Sequence, residues 1–142
     1  MVIGKNVRIW GEIEKFRNDI VTTGDNVVIA SESVIITHCP ISFYNGKKVD
    51  ITIGNNVYIG RKSIILPSVT IGDNVVIGAG SVVSGDIPSN CTAGGNPCRK
   101  IRSMTEVEIK RLRLLTEQNK IADGSEPQGM ENDEICYNNI DI

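Results

Sequence analysis

Isoleucine or valine returns every sixth residue through the middle of the chain, at Ile53, Ile59, Ile65, Ile71, Ile77 and Val83. The residue that follows is small or apolar at Gly54, Gly60, Leu66, Gly72 and Gly78, and is Ser84 in the last case. The fifth place of each hexad is small or branched: Val57, Ser63, Val69, Val75, Ser81 and Ile87. A longer phrase overlies this period. It reads Ile-Gly-Lys-Asn-Val from Ile3, Thr-Gly-Asp-Asn-Val from Thr23, Ile-Gly-Asn-Asn-Val from Ile53 and Ile-Gly-Asp-Asn-Val from Ile71. Six residues per face and 18 per turn predict an all-β chain wound as a three-sided parallel β-helix. Its core is then a stack of Ile and Val rungs from successive coils.

The first two intervals between phrases, Ile3 to Thr23 and Thr23 to Ile53, are longer than the last, Ile53 to Ile71, which is one coil. Against that coil, the first interval holds 2 extra residues and the second 12. Extra residues left in the wall would shift every rung above them, so they are expected as extruded loops. The small excess is expected near Lys15 to Asp19. The large one falls between Thr37 and Asp50, where Pro40, Asn45, Gly46, Lys47 and Lys48 read as exposed loop. The Gly-Asp-Asn and Gly-Asn-Asn pieces suit corners, since Gly and Asn tolerate the left-handed backbone region. Four to five coils about 4.8 Å apart make a prism roughly 20 Å tall, beginning at Ile3. The repeat itself carries no handedness, and the usual rule for parallel crossovers gives a right-handed turn.

After Ile87-Pro88 the rungs are expected to stop, with Gly94, Gly95, Asn96 and Pro97 forming a turn. Val107, Ile109, Leu112 and Leu115 give an apolar stripe from Thr105 to about Asn119, with Thr105 as cap and Glu108 at the capping-box position. The residues from Asp123 to Glu134 are acidic and rich in Gly, Ser, Pro and Asn, and read as a linker. The expected organisation is a β-helix over residues 1–102, a C-terminal α-helix over 103–120 and an acidic tail over 121–142.

Length and composition narrow the function classes. A chain of 142 residues is one domain by size. Aromatic residues make up only 4%, which a β-helix core tolerates because branched aliphatics fill it. A net charge of −2 gives no bulk electrostatic reason to bind nucleic acid or a membrane surface. No apolar stretch approaches the ~18 residues of a membrane span, and the first residues lack the charged and apolar regions of a signal peptide. Cys39, Cys91, Cys98 and Cys136 show no C-x-x-C spacing and read as reduced thiols of a cytoplasmic protein. No metal site is expected.

His38 is the only histidine. It stands where the second coil leaves the wall for the long excursion, and loops on rigid scaffolds concentrate binding and catalytic groups. Imidazole titrates near neutral pH and can take a proton there.

The run from Tyr58 through Pro88 contains Ile-Gly-Ala-Gly-Ser-Val-Val, and Gly95-Asn-Pro-Cys-Arg-Lys-Ile-Arg102 follows it. Together, in this order and spacing, these closely resemble the bacterial hexapeptide-repeat acyltransferases over about Thr23 to Arg102. The nearest branch looks like the galactoside and maltose O-acetyltransferases and the sugar O-acetyltransferases of surface-polysaccharide pathways. The resemblance implies a left-handed β-helix, a homotrimer with active sites between subunits, and acetyl-CoA as co-substrate with no permanently bound cofactor.

Carried over by position, it implies His38 as the catalytic base that deprotonates an acceptor hydroxyl for attack on the thioester. It implies the backbone amide at Arg61 as the oxyanion donor. Such steps are needed because a sugar hydroxyl is a weak nucleophile and the tetrahedral intermediate carries negative charge. Arg61, Ala79, Ser84, Gly85, Arg99 and Arg102 fall on coenzyme A-binding positions. Arg61 and Ala79 stand one coil length apart and so stack on successive coils. Arg99 and Arg102, with Lys100 beside them, suit phosphates. Outside this context the same cluster would read as an ordinary charge patch beside a helix.

Two departures point to a different acceptor. Tyr58 stands where the family often has Trp, and Trp10 aligns with an asparagine that holds sugar in the galactoside and maltose enzymes. Trp10, with Phe16, Phe43 or Tyr44, is a candidate platform for a sugar ring; Trp10 and Tyr44 are the expected substrate-binding residues. Packing of Trp10 against a loop or another subunit is the alternative. Cys39 adjoins His38, but the family transfers acyl groups directly and neighbouring strand residues face opposite sides.

The leading expectation is a sugar O-acetyltransferase acting on a polysaccharide precursor. N-acetylation of an amino sugar, often nucleotide-linked, would use the same scaffold and base. A β-helix carbonic anhydrase needs three histidines on zinc, which one histidine does not supply. A non-catalytic β-helix scaffold is the reading from another class.

Overall fold

A computed structural model describes residues 1–14, 20–37 and 49–118. Thirteen short strands and one helix are ordered along them. The first face is built from β1 (Val7–Ile9), β4 (Val27–Ile29), β7 (Val57–Ile59), β10 (Val75–Ile77) and β12 (Cys91–Gly94), all parallel. The second comprises β2 (Glu12–Glu14), β5 (Val34–Ile36), β8 (Ile64–Ile65) and β11 (Val82–Val83). The third comprises β3 (Val21–Thr23), β6 (Ile51–Ile53) and β9 (Thr70–Ile71), extended by bridges from Val2 to Thr22 and from Ile71 to Ile87. The wall therefore opens at Val2, one residue before the expected start, and makes four coils and part of a fifth.

The hexad residues become the interior. Ile53, Ile59, Ile65, Ile71, Ile77 and Val83 are all buried, in one cluster with Val21, Val27, Ile29, Ile35 and Ile51. Each rung packs on the rung one coil away, so burial is continuous along the axis.

Corners between the third and first faces carry the Asn of every phrase. Asn6, Asn26, Asn56, Asn74 and Asn90 have φ between 54° and 60°, the left-handed region Asn tolerates. Their amides form a ladder, each Nδ2 donating to the next Oδ1 at 2.9, 3.0, 3.1 and 2.8 Å. A second ladder runs beside it: the backbone N–H groups of Lys5, Asp25, Asn55 and Asp73 donate to Asp25, Asn55, Asp73 and Ser89 side chains. Replacing Asn56 by Ala removes two amide hydrogen bonds and holds at positive φ a residue that has no polar side chain to favour it. The expected loss is roughly 2–4 kcal/mol. Asn56→Gly keeps the backbone freedom and should recover about 1 kcal/mol of it, read by chemical denaturation.

Two expectations are corrected. The rungs do not stop at Ile87-Pro88, because β12 continues the first face through Cys91 and Ala93, both buried in the core. β12 then pairs antiparallel with β13 (Arg99–Ser103) through the Gly95–Cys98 turn, whose Asn96–Pro97 bond is cis. Ala and Cys replace Ile and Val there, and the step from Val75 to Cys91 is two shorter than the step from Val57 to Val75. The period is lost while the ladder persists.

The second correction concerns the first gap. From first to second face, coil 1 uses five residues (Val7 to Glu12), where the coils above use seven (Val27 to Val34, Val57 to Ile64). From second to third face it uses ten (Glu12 to Thr22) against six in coil 3 (Ile64 to Thr70). The net excess of two is thus four extra residues offset by two missing ones. The four fall between Glu14 and Val21, around the expected place; residues 15–19 lie outside the described residues. The large excess falls between Ile36 and Ile51, as expected.

The helix α1 (Glu106–Glu117) has Thr105 as N-cap and a capping box closed by Glu108. It lies on the outer side of the first face, forming a second core of Leu112 and Met104 with Val28, Tyr58 and Val76, and with Trp10, Ile109 and Leu115 packed against it. Its last carbonyls, Thr116 O and Glu117 O, accept from Asn6 Nδ2 at 2.8 and 3.2 Å. No basic residue stands in its last turn, so the first coil caps the helix from 110 residues away.

Candidate functional site

The second face is the surface that the candidate residues border. Its outward positions are Val34 and Ile36, Ile64 and Leu66, Val82 and Ser84, by strand alternation about the buried Ile35, Ile65 and Val83. At one edge, the corner leading into this face is a two-residue step repeated up the prism: Ser31-Glu32, Arg61-Lys62 and Ala79-Gly80. The second residue of each step has positive φ, 63°, 58° and 69°. The expected stacking of Arg61 and Ala79 is observed, with Gly80 N donating to Arg61 O at 2.8 Å. Ser33, Ser63 and Ser81 are fully buried directly behind this corner. Ser33 and Ser63 each donate to a glycine carbonyl of the coil above, Gly60 O and Gly78 O, at 3.0 and 3.3 Å. Ser81 Oγ donates to Gly78 O of its own coil and accepts from Gly95 N.

The Gly95–Cys98 turn closes the top of this edge. Val82 N donates to Gly95 O, and Cys98 N donates to Val82 O at 2.8 Å. Arg99 and Lys100 follow at once and are exposed. The fold thereby gathers Arg61, Ala79 and Arg99 along one edge, although they come from three different coils of the sequence.

Ser84 and Gly85 lie at the opposite edge of the same face. Both are exposed, and a Cβ added at Gly85 would meet nothing within 4 Å. The described part of the second coil ends at this second edge with Thr37, the residue before His38 in the sequence. Thr37 is buried and its N–H donates to Glu14 O at 2.9 Å. His38 and Tyr44 themselves lie outside the described residues, as do Cys39, Phe16 and Phe43.

Arg102 sits apart from the other candidates. It lies on β13 opposite Thr92, and its Nη1 donates to Glu108 Oε2 at 2.7 Å. That hydrogen bond, with the guanidinium charge and the Thr105 cap, holds the Glu108 carboxyl below its ordinary range, against a smaller opposing effect of burial. Glu108 thus closes the helix cap and binds a cation. A carboxylate with a lowered native pKa stabilises the fold at pH values above its unfolded pKa of ~4.3. The contribution is lost as pH falls through the lower native value. Glu108→Gln is therefore expected to reduce the melting temperature at pH 7, with the difference from wild type shrinking progressively as pH falls below about 4.

Cys91 and Cys98 are free and buried, and burial raises both thiols above their ordinary range. They are poor nucleophiles and pack as core residues. Among the described residues no group of three or more His, Cys, Asp or Glu could hold a metal ion, and no helix is long and apolar enough to cross a membrane.

Trp10 follows β1 at the shortened corner of coil 1; it packs against the second core and is among the residues that line the hollow beneath the Arg61 edge. Sequence reasoning missed Glu32, whose carboxylate bridges Arg61 Nη2 at 4.0 Å and Lys62 Nζ at 3.7 Å. The signal was present: Glu32 precedes Lys62 by the same interval that separates the Thr23 and Ile53 phrases.

Residues 50–85 match the family described as bacterial transferase hexapeptide, six repeats. Galactoside O-acetyltransferase of Escherichia coli K12 is 51% identical over 92 residues, covering 61% of this chain and 45% of that protein. Protein CapG of Staphylococcus aureus is 48% identical over 100 residues, covering 66% of this chain and 58% of CapG. The chain thus spans about half the length of these curated relatives. Among solved structures, a galactoside acetyltransferase in complex with coenzyme A superposes with a TM-score of 0.59 at 41% identity, over 75% of this chain and 61% of that one. The coil is the left-handed one of these acetyltransferases, against the right-handed rule for parallel crossovers. That rule holds for strands of one sheet joined across its face; here each turn passes through three sheets with left-handed residues at the corners.

Proposed function

We propose that this chain, which belongs to the sugar O-acetyltransferase branch of the bacterial hexapeptide-repeat acyltransferase family, transfers acetyl from acetyl-CoA to a hydroxyl of a sugar or polysaccharide precursor. The observation that carries the reading is the edge where Arg61, Ala79 and the Gly95–Arg99 turn converge. It supplies small residues for close approach of a thin pantetheine arm and cations at its upper end for phosphates. His38, which follows Thr37 in the sequence, is the general base. It takes the proton from the acceptor hydroxyl as that oxygen bonds to the thioester carbonyl carbon. The negative charge formed on the carbonyl oxygen is met by the Arg61 backbone amide. The C–S bond then breaks, and the proton passes from His38 to the departing thiolate.

The half-buried apolar positions Val34, Ile36, Ile64, Leu66 and Val82 on the second face support assembly as a homotrimer with sites between copies. The test is free-thiol release from acetyl-CoA across neutral sugars, amino sugars and nucleotide sugars. Acceptor-dependent release with a new acetyl ester supports the reading. An acetamide product would instead assign N-acetylation. No release together with no coenzyme A binding would leave a scaffold.

A further inference from the structure

Among the described residues the lower end of the prism is open. β1 and β2 are the terminal strands of the first two faces, and a terminal strand presents unpaired backbone N–H and C=O groups. The rung they carry, Val7, Ile9 and Ile13, is only partly buried, whereas Val27, Ile29 and Ile35 one coil above are buried. Ile3 beside them is exposed. Two polar groups of this coil also lack a described counterpart. Asn6 Nδ2 donates to Asn26 and to the helix end, but no described residue donates to Asn6 Oδ1. Arg8 stands on the outer side of the first face, in register with Val28. No described carboxylate pairs with it, and its Nη1 reaches only the neighbouring Val7 O.

A matching piece stands further along the chain. Each of the first four coils enters the first face on one phrase: Asn6-Val-Arg-Ile, Asn26-Val-Val-Ile, Asn56-Val-Tyr-Ile and Asn74-Val-Val-Ile. The phrase recurs as Asn138-Asn139-Ile140-Asp141-Ile142, with paired asparagines before it as in Asn55-Asn56. This stretch lies outside the described residues. The helix hands the chain to the right place. Thr116 O and Glu117 O accept from Asn6 Nδ2, so the residues after Gln118 start at the corner where the asparagine ladder stops. Residues 119–137 are long enough to turn back on that corner, at small entropic cost for closing the loop.

We infer that residues 138–142 add a strand beneath β1 and cap the lower end of their own prism. Parallel pairing in the register of the other rungs sets Ile140 under Val7, Asp141 under Arg8 and Ile142 under Ile9. Asn139 Nδ2 donates to Asn6 Oδ1 and carries the ladder one coil further. The Asp141 carboxylate meets the Arg8 guanidinium on the outer side. Ile140 and Ile142 cover the half-buried rung, which is what the end of a stacked repeat requires. Tethering makes the chain's own phrase the favoured occupant over one from a second copy, because the linker holds it at a high effective concentration. The cap stands whether or not the chain transfers acetyl.

The experiment follows hydrogen exchange of the full chain by mass spectrometry, on peptides covering residues 1–14, and repeats it with I140D/I142D. Both substitutions lie beyond the described fold, and circular dichroism melting checks that the prism still forms. The first-coil amides are expected to exchange at least about tenfold faster in the variant, with those of β7 and β10 unchanged. R8D and D141R should each speed the same amides, and R8D/D141R should restore most of the protection. Equal exchange in wild type and I140D/I142D overturns the inference. Acceleration in every coil alike overturns the local cap, and a charge swap that restores nothing overturns the register. Protection that grows with protein concentration assigns the strand to a second copy and overturns the tethered form.

Discussion

His38→Ala is expected to slow acetyl transfer by about 10²–10⁴-fold, the usual contribution of a general base, while coenzyme A binding persists. The separation of the two effects follows from placement. The proposed coenzyme positions Arg61, Ala79 and Arg99 are held by the corner and turn at one edge of the second face. Thr37, which precedes His38 in the sequence, stands at the other edge. Thiol release and direct coenzyme binding are measured on the same preparation. A variant within threefold of wild type would remove His38 from the chemistry. A parallel collapse of coenzyme binding would make it a positioning residue. Since Cys91 and Cys98 are buried with thiols pushed up, neither is available to rescue the reaction as an alternative nucleophile.

Ile59→Ala is expected to cost about 2–5 kcal/mol, a large share of the roughly 5–15 kcal/mol that stabilises a domain. Ile59 is fully buried between Ile29 and Ile77 of the neighbouring coils. Neither neighbour can move into the void, because each is fixed in register by its own strand. Ile9 occupies the equivalent place in the first coil but is only partly buried and has a rung on one side alone. Ile9→Ala should therefore cost clearly less. Urea denaturation of both variants gives the comparison. Equal losses would mean that the rungs are not stabilised by stacking along the axis.

The branch of the family is legible because its motifs fall on corners and turns, where the chain has least freedom. The Gly95–Arg102 stretch reads as a turn followed by cations, and the structure makes it the closure of the prism's upper edge. Its Arg102, however, turns from the edge to Glu108. A guanidinium's partner is chosen by whichever acceptor the tertiary fold brings within hydrogen-bond reach, and α1 brings one. The continuation of the wall through Cys91 and Ala93 was hidden for a different reason. Strand pairing depends on backbone hydrogen bonds, which persist after the side-chain period has lapsed.

By itself, the sequence determined the coil, the rungs, the left-handed asparagine corners, the long excursion after Thr37 and the capped helix. Each of these is local, or repeats at a fixed separation, so contact between coils is written directly into the spacing. The stacking of Arg61 on Ala79 belongs to the same class. Only the tertiary structure decided where α1 docks, that Asn6 caps its far end, and that coil 1 turns its second corner two residues short. That last feature cancels against four extra residues one corner later, leaving a total of two in the phrase spacing. A sum cannot reveal its parts, so the hollow beside Glu12 and Glu32 appears only once each corner is closed by its own hydrogen bonds.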